Sequence, residues 1–280
     1  MRIGMNMLLW TDHVTEQYFP LIEKLKLTGY EGIEVPLGDG DEAHYAAIGA
    51  FCDNLELGRT CVTSLLEETN IASPDAKIRA AGVDRLKWTI DQASALGAEI
   101  ICGPIHSAFA YFTKQPPSED EKKWSIEGLQ KAAEYAAQAN IVLTPEALNR
   151  FECYLCNTMA QIKEIVEGVN HPNVGAIYDT HHANIEEKSQ KQAIELIAPY
   201  LKHVHVTEND RGTPGKGQIN WDEVFRTLKA VGYDGWLTIE AFSTTIPAFA
   251  NSINVWRDFS PADEVYLEGF RFIQQKWQSA

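Results

Sequence analysis

Four side chains in the second half of the sequence have the types and spacing to hold one ion. Glu146 follows the apolar run 141–145 and Asp179 follows the run 174–178. His205 lies within 203–206, and Glu240 follows 236–239. The intervals between them, about 26 to 35 residues, each match one strand followed by one helix. When consecutive parallel strands curl into a barrel, their C-terminal ends ring one mouth, so the four groups converge there. Three carboxylates brought together repel and raise one another's pKa. A divalent cation removes that cost. Three carboxylate oxygens with one imidazole make a hard, oxygen-rich donor set. It suits Mn²⁺, Mg²⁺ or Co²⁺ better than a thiolate-preferring metal. A single acid at a strand end is also an ordinary N-cap for the next helix. Four candidates in successive units favour the ion.

That convergence needs a frame of alternating strands and helices. Short β-rich runs at 2–9, 32–35, 59–64, 99–103, 141–145, 174–178, 203–206 and 236–239 supply the strands. Helical patterns fall between them at 16–27, 75–96, 119–139, 158–168, 192–200 and 221–231. Adjacent apolar residues such as Val142 and Leu143 suit strands covered on both faces. Trp124, Ile126, Leu129, Ala132 and Ala133 recur at helical spacing. Ser73-Pro74-Asp75 predicts an N-cap with proline in the first turn. Asn220 with Glu223 predicts a capping box ahead of Trp221. Gly29, Gly97 and Gly232 stand just past predicted helix ends. No G-x-G-x-x-G follows the first strand, which argues against a dinucleotide site. Eight units of about 35 residues predict an α/β fold, a (β/α)8 TIM barrel formed as a single domain over 1–280.

Composition narrows the partners. Hydrophobic residues at 45% and charged residues at 22% suit a folded core. A net charge of −15 repels phosphodiester backbones and anionic lipid, so neither nucleic acid nor a membrane is expected as a partner. No apolar run reaches the ~20 residues a bilayer span requires, and the N-terminal stretch lacks the pattern of a signal peptide. The five cysteines read as reduced thiols in a cytoplasmic protein. Cys153 and Cys156 have C-x-x-C spacing, but no second pair completes a zinc site. Among the histidines, His203 and His205 share one strand face, with His205 nearer the mouth. His182 lies at the mouth beyond Asp179. The spacing leaves open where His181 and His106 point.

The same residues sit in recognisable phrases. Glu146-Ala147-Leu148-Asn149-Arg150-Phe151-Glu152 resembles the E-x-x-N-R-F-E phrase of the D-tagatose 3-epimerase / D-psicose (allulose) 3-epimerase family. Asp179-Thr180-His181-His182-Ala183-Asn184-Ile185-Glu186-Glu187 resembles its D-T-F-H-M-N-I-E-E, with His181 in place of Phe. His205, Glu208, Asn209 and Arg211 resemble H-x-G-E-x-N-R, with Thr207 for Gly and Asp210 inserted. Pro214-Gly215-Lys216-Gly217 before Trp221, Ile239-Glu240-Ala241-Phe242 and Val255-Trp256-Arg257-Asp258 continue the likeness over nearly the whole chain.

The resemblance implies one Mn²⁺-type ion per subunit, with Co²⁺ or Mg²⁺ as alternatives, on Glu146, Asp179, His205 and Glu240. It implies sugar contacts from Glu152, His182 and Arg211, a free ketose substrate, and a homodimer or homotetramer. The expected reaction is epimerisation at C3 through a cis-enediolate, with Glu146 and Glu240 as the catalytic acid/base pair. The likeness weakens where the family places aromatics against the far end of the sugar. Asn6 and Val14 stand at those positions, Phe109 replaces a tryptophan, and Phe242 is retained. Asn6, Phe109 and Phe242 are therefore expected to contact substrate. Arg211 and Lys216 raise the option of a sugar phosphate, although Pro and Gly there are also ordinary turn residues. Competing readings are an aldose–ketose isomerase on the same barrel, a nuclease acting at abasic sites, which the negative charge opposes, and a non-catalytic sugar-binding barrel.

Overall fold

The computed structural model describes residues 1–280. All eight expected strands form: β1 (Arg2–Asn6), β2 (Gly32–Pro36), β3 (Gly58–Val62), β4 (Ile100–Gly103), β5 (Val142–Pro145), β6 (Ala176–Asp179), β7 (Leu201–Val206) and β8 (Trp236–Ile239). They pair in parallel in the order β5-β4-β3-β2-β1-β8-β7-β6. Isolated bridges Leu143–Val174 and Glu146–Ile177 bring the two outer strands together, giving a nearly closed TIM barrel. β1 is shorter than the apolar pattern predicts. Its chain turns at Asn6, whose side chain accepts from Leu8 N and caps the 3₁₀ turn Met7–Leu9.

The helices pack outside: α1 (Phe19–Thr28), α2 (Glu42–Asn54), α3 (Ala76–Leu96), α4 (Glu119–Ala136), α5 (Met159–Val169), α6 (Thr180–Glu186), α7 (Gln190–Ile197), α8 (Trp221–Ala230), α9 (Pro247–Ser252) and α10 (Ala262–Ser279). Asn220 caps α8 as expected, accepting from Glu223 N, but the Glu223 carboxylate accepts from the Asn220 side-chain amide instead of its backbone N–H, so the reciprocal capping box does not form. Asp75, not Ser73, caps α3: its carboxylate accepts from Lys77 N, which leaves Pro74 outside the helix. Gly29 and Gly97 take the left-handed C-cap conformation, as expected. α2, α6, α9 and α10 were not among the predicted helices. No helix is long and apolar enough to cross a membrane.

The barrel interior is layered. Trp236 fills the bottom, where its ring demands bare backbone on two neighbouring strands. A Cβ on Gly32 would lie 2.3 Å from the ring and one on Gly58 2.7 Å away. Above it comes a polar layer with Glu34, Thr60, Cys102 and His203, all buried. The strand ends carry the next layer, at the mouth.

Candidate active site

Each site residue reaches the mouth by a strand end. Glu146 follows β5 and its N–H is fixed by the carbonyl of Gly103. Asp179 ends β6 and caps α6 by accepting from His182 N at 2.9 Å. His205 is the next-to-last residue of β7, and Glu240 follows β8. The convergence predicted from spacing is present. His205 Nδ1 lies 3.3 Å from Glu240 Oε1, 3.7 Å from Asp179 Oδ2 and 3.8 Å from Glu146 Oε1.

Two of these atoms, Glu146 Oε1 and His205 Nδ1, are buried without any hydrogen-bond partner. Leaving two such atoms bare is costly. A cation between them satisfies both, and donors separated in this way match a coordination shell with bonds of ~2.1 Å. The donor set therefore fits a hard divalent ion. The electrostatics agree. Burial pushes the carboxyl of Asp179 up to about 6, with Glu240 adding to the effect. Burial likewise pushes Glu240 up to about 7, with Glu146 and Glu34 contributing, and raises Glu146. Acids this reluctant to ionise are ready for a positive charge.

Over this floor opens a cavity of about 580 Å³. Glu146, Glu152, His182, Arg211 and Glu240 supply its polar groups, while Leu8, Phe109, Phe242 and Phe249 are among its apolar walls. Asp179 and His205 lie beneath the floor and do not line it. Arg211 is buried. It donates to Glu240 Oε2 at 2.6 Å and to both oxygens of Glu152 at 3.4 Å, and its guanidinium lies 4.8 Å from the Phe242 ring centre. His182 Nδ1 accepts from the backbone N–H of Asn149 at 2.9 Å, and its Nε2 lies 3.2 Å from the donor Arg211 Nη2 and 3.8 Å from Glu146. Burial and the Arg211 charge hold His182 well below the usual histidine range. It is a neutral ring on the cavity wall, held between Asn149 and Arg211.

Asn6 is placed differently from the expectation. It is fully buried and does not line the cavity; its amide donates to Glu34 at 2.9 Å and to Glu240 at 3.3 Å. Val14 is also buried away from the cavity. Lys216 points outward to Glu268 at 2.8 Å, so it gives the cavity no positive charge for a phosphate. His181 turns inward and donates Nδ1–H to the carbonyl of Glu208. His106, which the spacing could not place, donates Nε2–H to the carbonyl of Glu146 at 2.9 Å. Cys153 and Cys156 are buried free thiols, in keeping with a structural role. Sequence reasoning missed Glu34 and Leu8. A lone acid in an apolar strand was the available signal for Glu34.

A family model described as xylose isomerase-like TIM barrel matches residues 22–276. The chain belongs to that family. Within it, the chain is 31% identical to a D-psicose 3-epimerase of Agrobacterium fabrum, across 95% of this chain and 93% of the relative. It is 31% identical to an L-ribulose 3-epimerase of a Methylomonas species, across 89% and 88%. Among solved structures, a Methylomonas D-allulose 3-epimerase in complex with D-allulose superposes with a TM-score of 0.92. The match has 28% identity and covers 99% of this chain and 97% of that one.

Proposed function

We propose that this protein is a metal-dependent ketose 3-epimerase acting on a free ketohexose or ketopentose. One observation carries the reading: two buried carboxylates, Glu146 and Glu240, flank a polar cavity floor and share with His205 a gap sized for one cation. The family relatives, named as epimerases of psicose and ribulose, support the same class.

Glu146, Asp179, His205 and Glu240 would hold a divalent ion, most simply Mn²⁺, which supplies Lewis-acid stabilisation of negative charge on the sugar oxygens. Glu146 and Glu240 come from strands β5 and β8, so they approach a bound ketose from different sides. One removes the C3 proton and the other returns a proton to the opposite face, with a cis-enediolate of the sugar between the two steps. Arg211 orients Glu240 through Oε2, and with His182 it forms the polar wall that positions a sugar oxygen. Glu152 accepts from sugar hydroxyls. Phe109 and Phe242 give apolar faces for the remainder of the ring or chain.

The deciding experiment incubates the Mn²⁺-loaded protein with a panel of ketohexoses and ketopentoses in D₂O, with an EDTA-treated control. The expected result is metal-dependent conversion of a ketose to its C3 epimer with deuterium at C3. An aldose product labelled at C1 or C2 would replace this reading with an isomerase. Absence of turnover on every free ketose would refute the substrate class.

A further inference from the structure

Beneath the cavity, outside the ligand set, the barrel buries one more carboxylate. Glu34 lies mid-strand in β2 and is 0% exposed, where an apolar side chain would pack at less cost. Five donors surround it. Oε1 accepts from His205 Nε2 at 2.7 Å and Asn6 Nδ2 at 2.9 Å. Oε2 accepts from His203 Nε2 at 2.8 Å, Thr60 Oγ1 at 2.9 Å and the Cys102 thiol at 3.3 Å.

We propose that Glu34 is a positioning residue for the cation and for the acid/base pair. A neutral imidazole has one N–H and one lone pair. Because His205 gives its Nε2–H to Glu34, the lone pair sits on Nδ1, the unpartnered atom that faces the three carboxylates. His203 and Thr60 grip Oε2, so the Glu34 carboxylate cannot swing, and the His205 ring is fixed in rotation as well as tautomer. Asn6 extends the same control to Glu240. Its one amide group donates to Glu34 and to Glu240 Oε1. One buried charge thus aligns a ligand directly and a second ligand through a single amide, by the general logic in which a carboxylate orients a metal-binding histidine. The inference rests on the cation reading of the site, not on which sugar is turned over.

The test follows the ion. Mn²⁺ is titrated into wild type and Glu34→Gln, and unbound Mn²⁺ is read by electron paramagnetic resonance. The glutamine keeps the shape and can still accept from His205, but it lacks the charge. The expected result is affinity weakened by ~10–100-fold with cooperative unfolding of the metal-free variant retained. Wild-type affinity in a folded variant would overturn the proposal. If the variant does not fold, ¹⁵N NMR of wild type with Mg²⁺ decides. A proton on His205 Nε2 with the ion on Nδ1 is expected, and the reverse arrangement overturns it. Both readouts are independent of turnover. Failure to epimerise any ketose would therefore sink the proposed activity and leave this inference standing, whereas absence of wild-type ion binding would sink both.

Discussion

Glu240 is constrained at both oxygens, by Arg211 on Oε2 and by Asn6 on Oε1, while Glu146 keeps Oε1 free and is anchored through its backbone by Gly103 and His106. The two acids are alike in sequence and differ in what holds them. Replacing either by glutamine keeps side-chain size and removes the group that accepts a proton. Glu146→Gln and Glu240→Gln should each lower kcat by ~10²–10⁴-fold, the usual worth of a positioned acid or base. Circular dichroism should show the fold retained in both. Near-wild-type kcat at saturating Mn²⁺ in either variant would remove that residue from proton transfer. All four candidate ligands could be read from residue type and one-unit spacing. Asn6 could not be placed so, because alternation tells which strand face points into a barrel but not at what depth. The early end of β1 sets that depth, and it places the amide below the cavity instead of on its wall.

At the scale of elements, the loop after β7 carries Arg211 in the left-handed conformation, at φ 64, an arrangement that needs outside support. Glu208 provides it. Fully buried, it accepts from Trp221 Nε1 at 2.9 Å, Gly215 N at 2.8 Å, Asn209 N at 3.0 Å and Ile219 N at 3.3 Å. A glutamine there would turn its NH₂ against at least one of these donors. Glu208→Gln should cost about 2–3 kcal/mol in urea unfolding and lower kcat, since Arg211 loses the seat from which it orients Glu240. An unchanged unfolding midpoint would show that the loop does not depend on this acid. The motif containing Glu208 was visible in sequence, but its purpose was not, because its donors are spread over the following turn. Other elements escaped for a different reason. α2 and α10 carry Gly49 and Gly269 mid-helix, which weakens the helical pattern, yet each glycine lets the helix approach a neighbour closely. A Cβ would lie 2.6 Å from the Leu96 carbonyl in one case and 2.9 Å from Ile239 in the other. The strands were legible because parallel strands covered on both faces must be apolar throughout.

For the whole molecule, the barrel stacks an apolar plug, a polar layer and a mouth of acids in a chain already at −15, so ion binding should be felt as global stability. The sign follows from the folded-state proton affinities. Asp179 at about 6 and Glu240 at about 7 are raised above unfolded carboxylates, which titrate near ~4. In the metal-free protein their contribution to stability is present at low pH and lost as pH rises through 6 to 7. His205 is raised well above its usual range despite burial, because Glu34 and Glu240 hold its proton, so its contribution also falls as pH rises through its folded value. Burial acts oppositely on His106, at about 4, and on His181 and His182, but these groups are neutral with or without the ion and cancel in a difference. The ion replaces the protons on its ligands. It must therefore compete at pH 5.5 and binds to already ionised groups at pH 8. The gain in Tm from added Mn²⁺ over an EDTA control should be small at pH 5.5 and grow toward pH 8. A hundredfold excess over Kd contributes about 2.7 kcal/mol. Differential scanning fluorimetry across that range measures the gain directly. A gain independent of pH would mean that the ion binds without displacing protons, and the mouth acids would then not be its ligands.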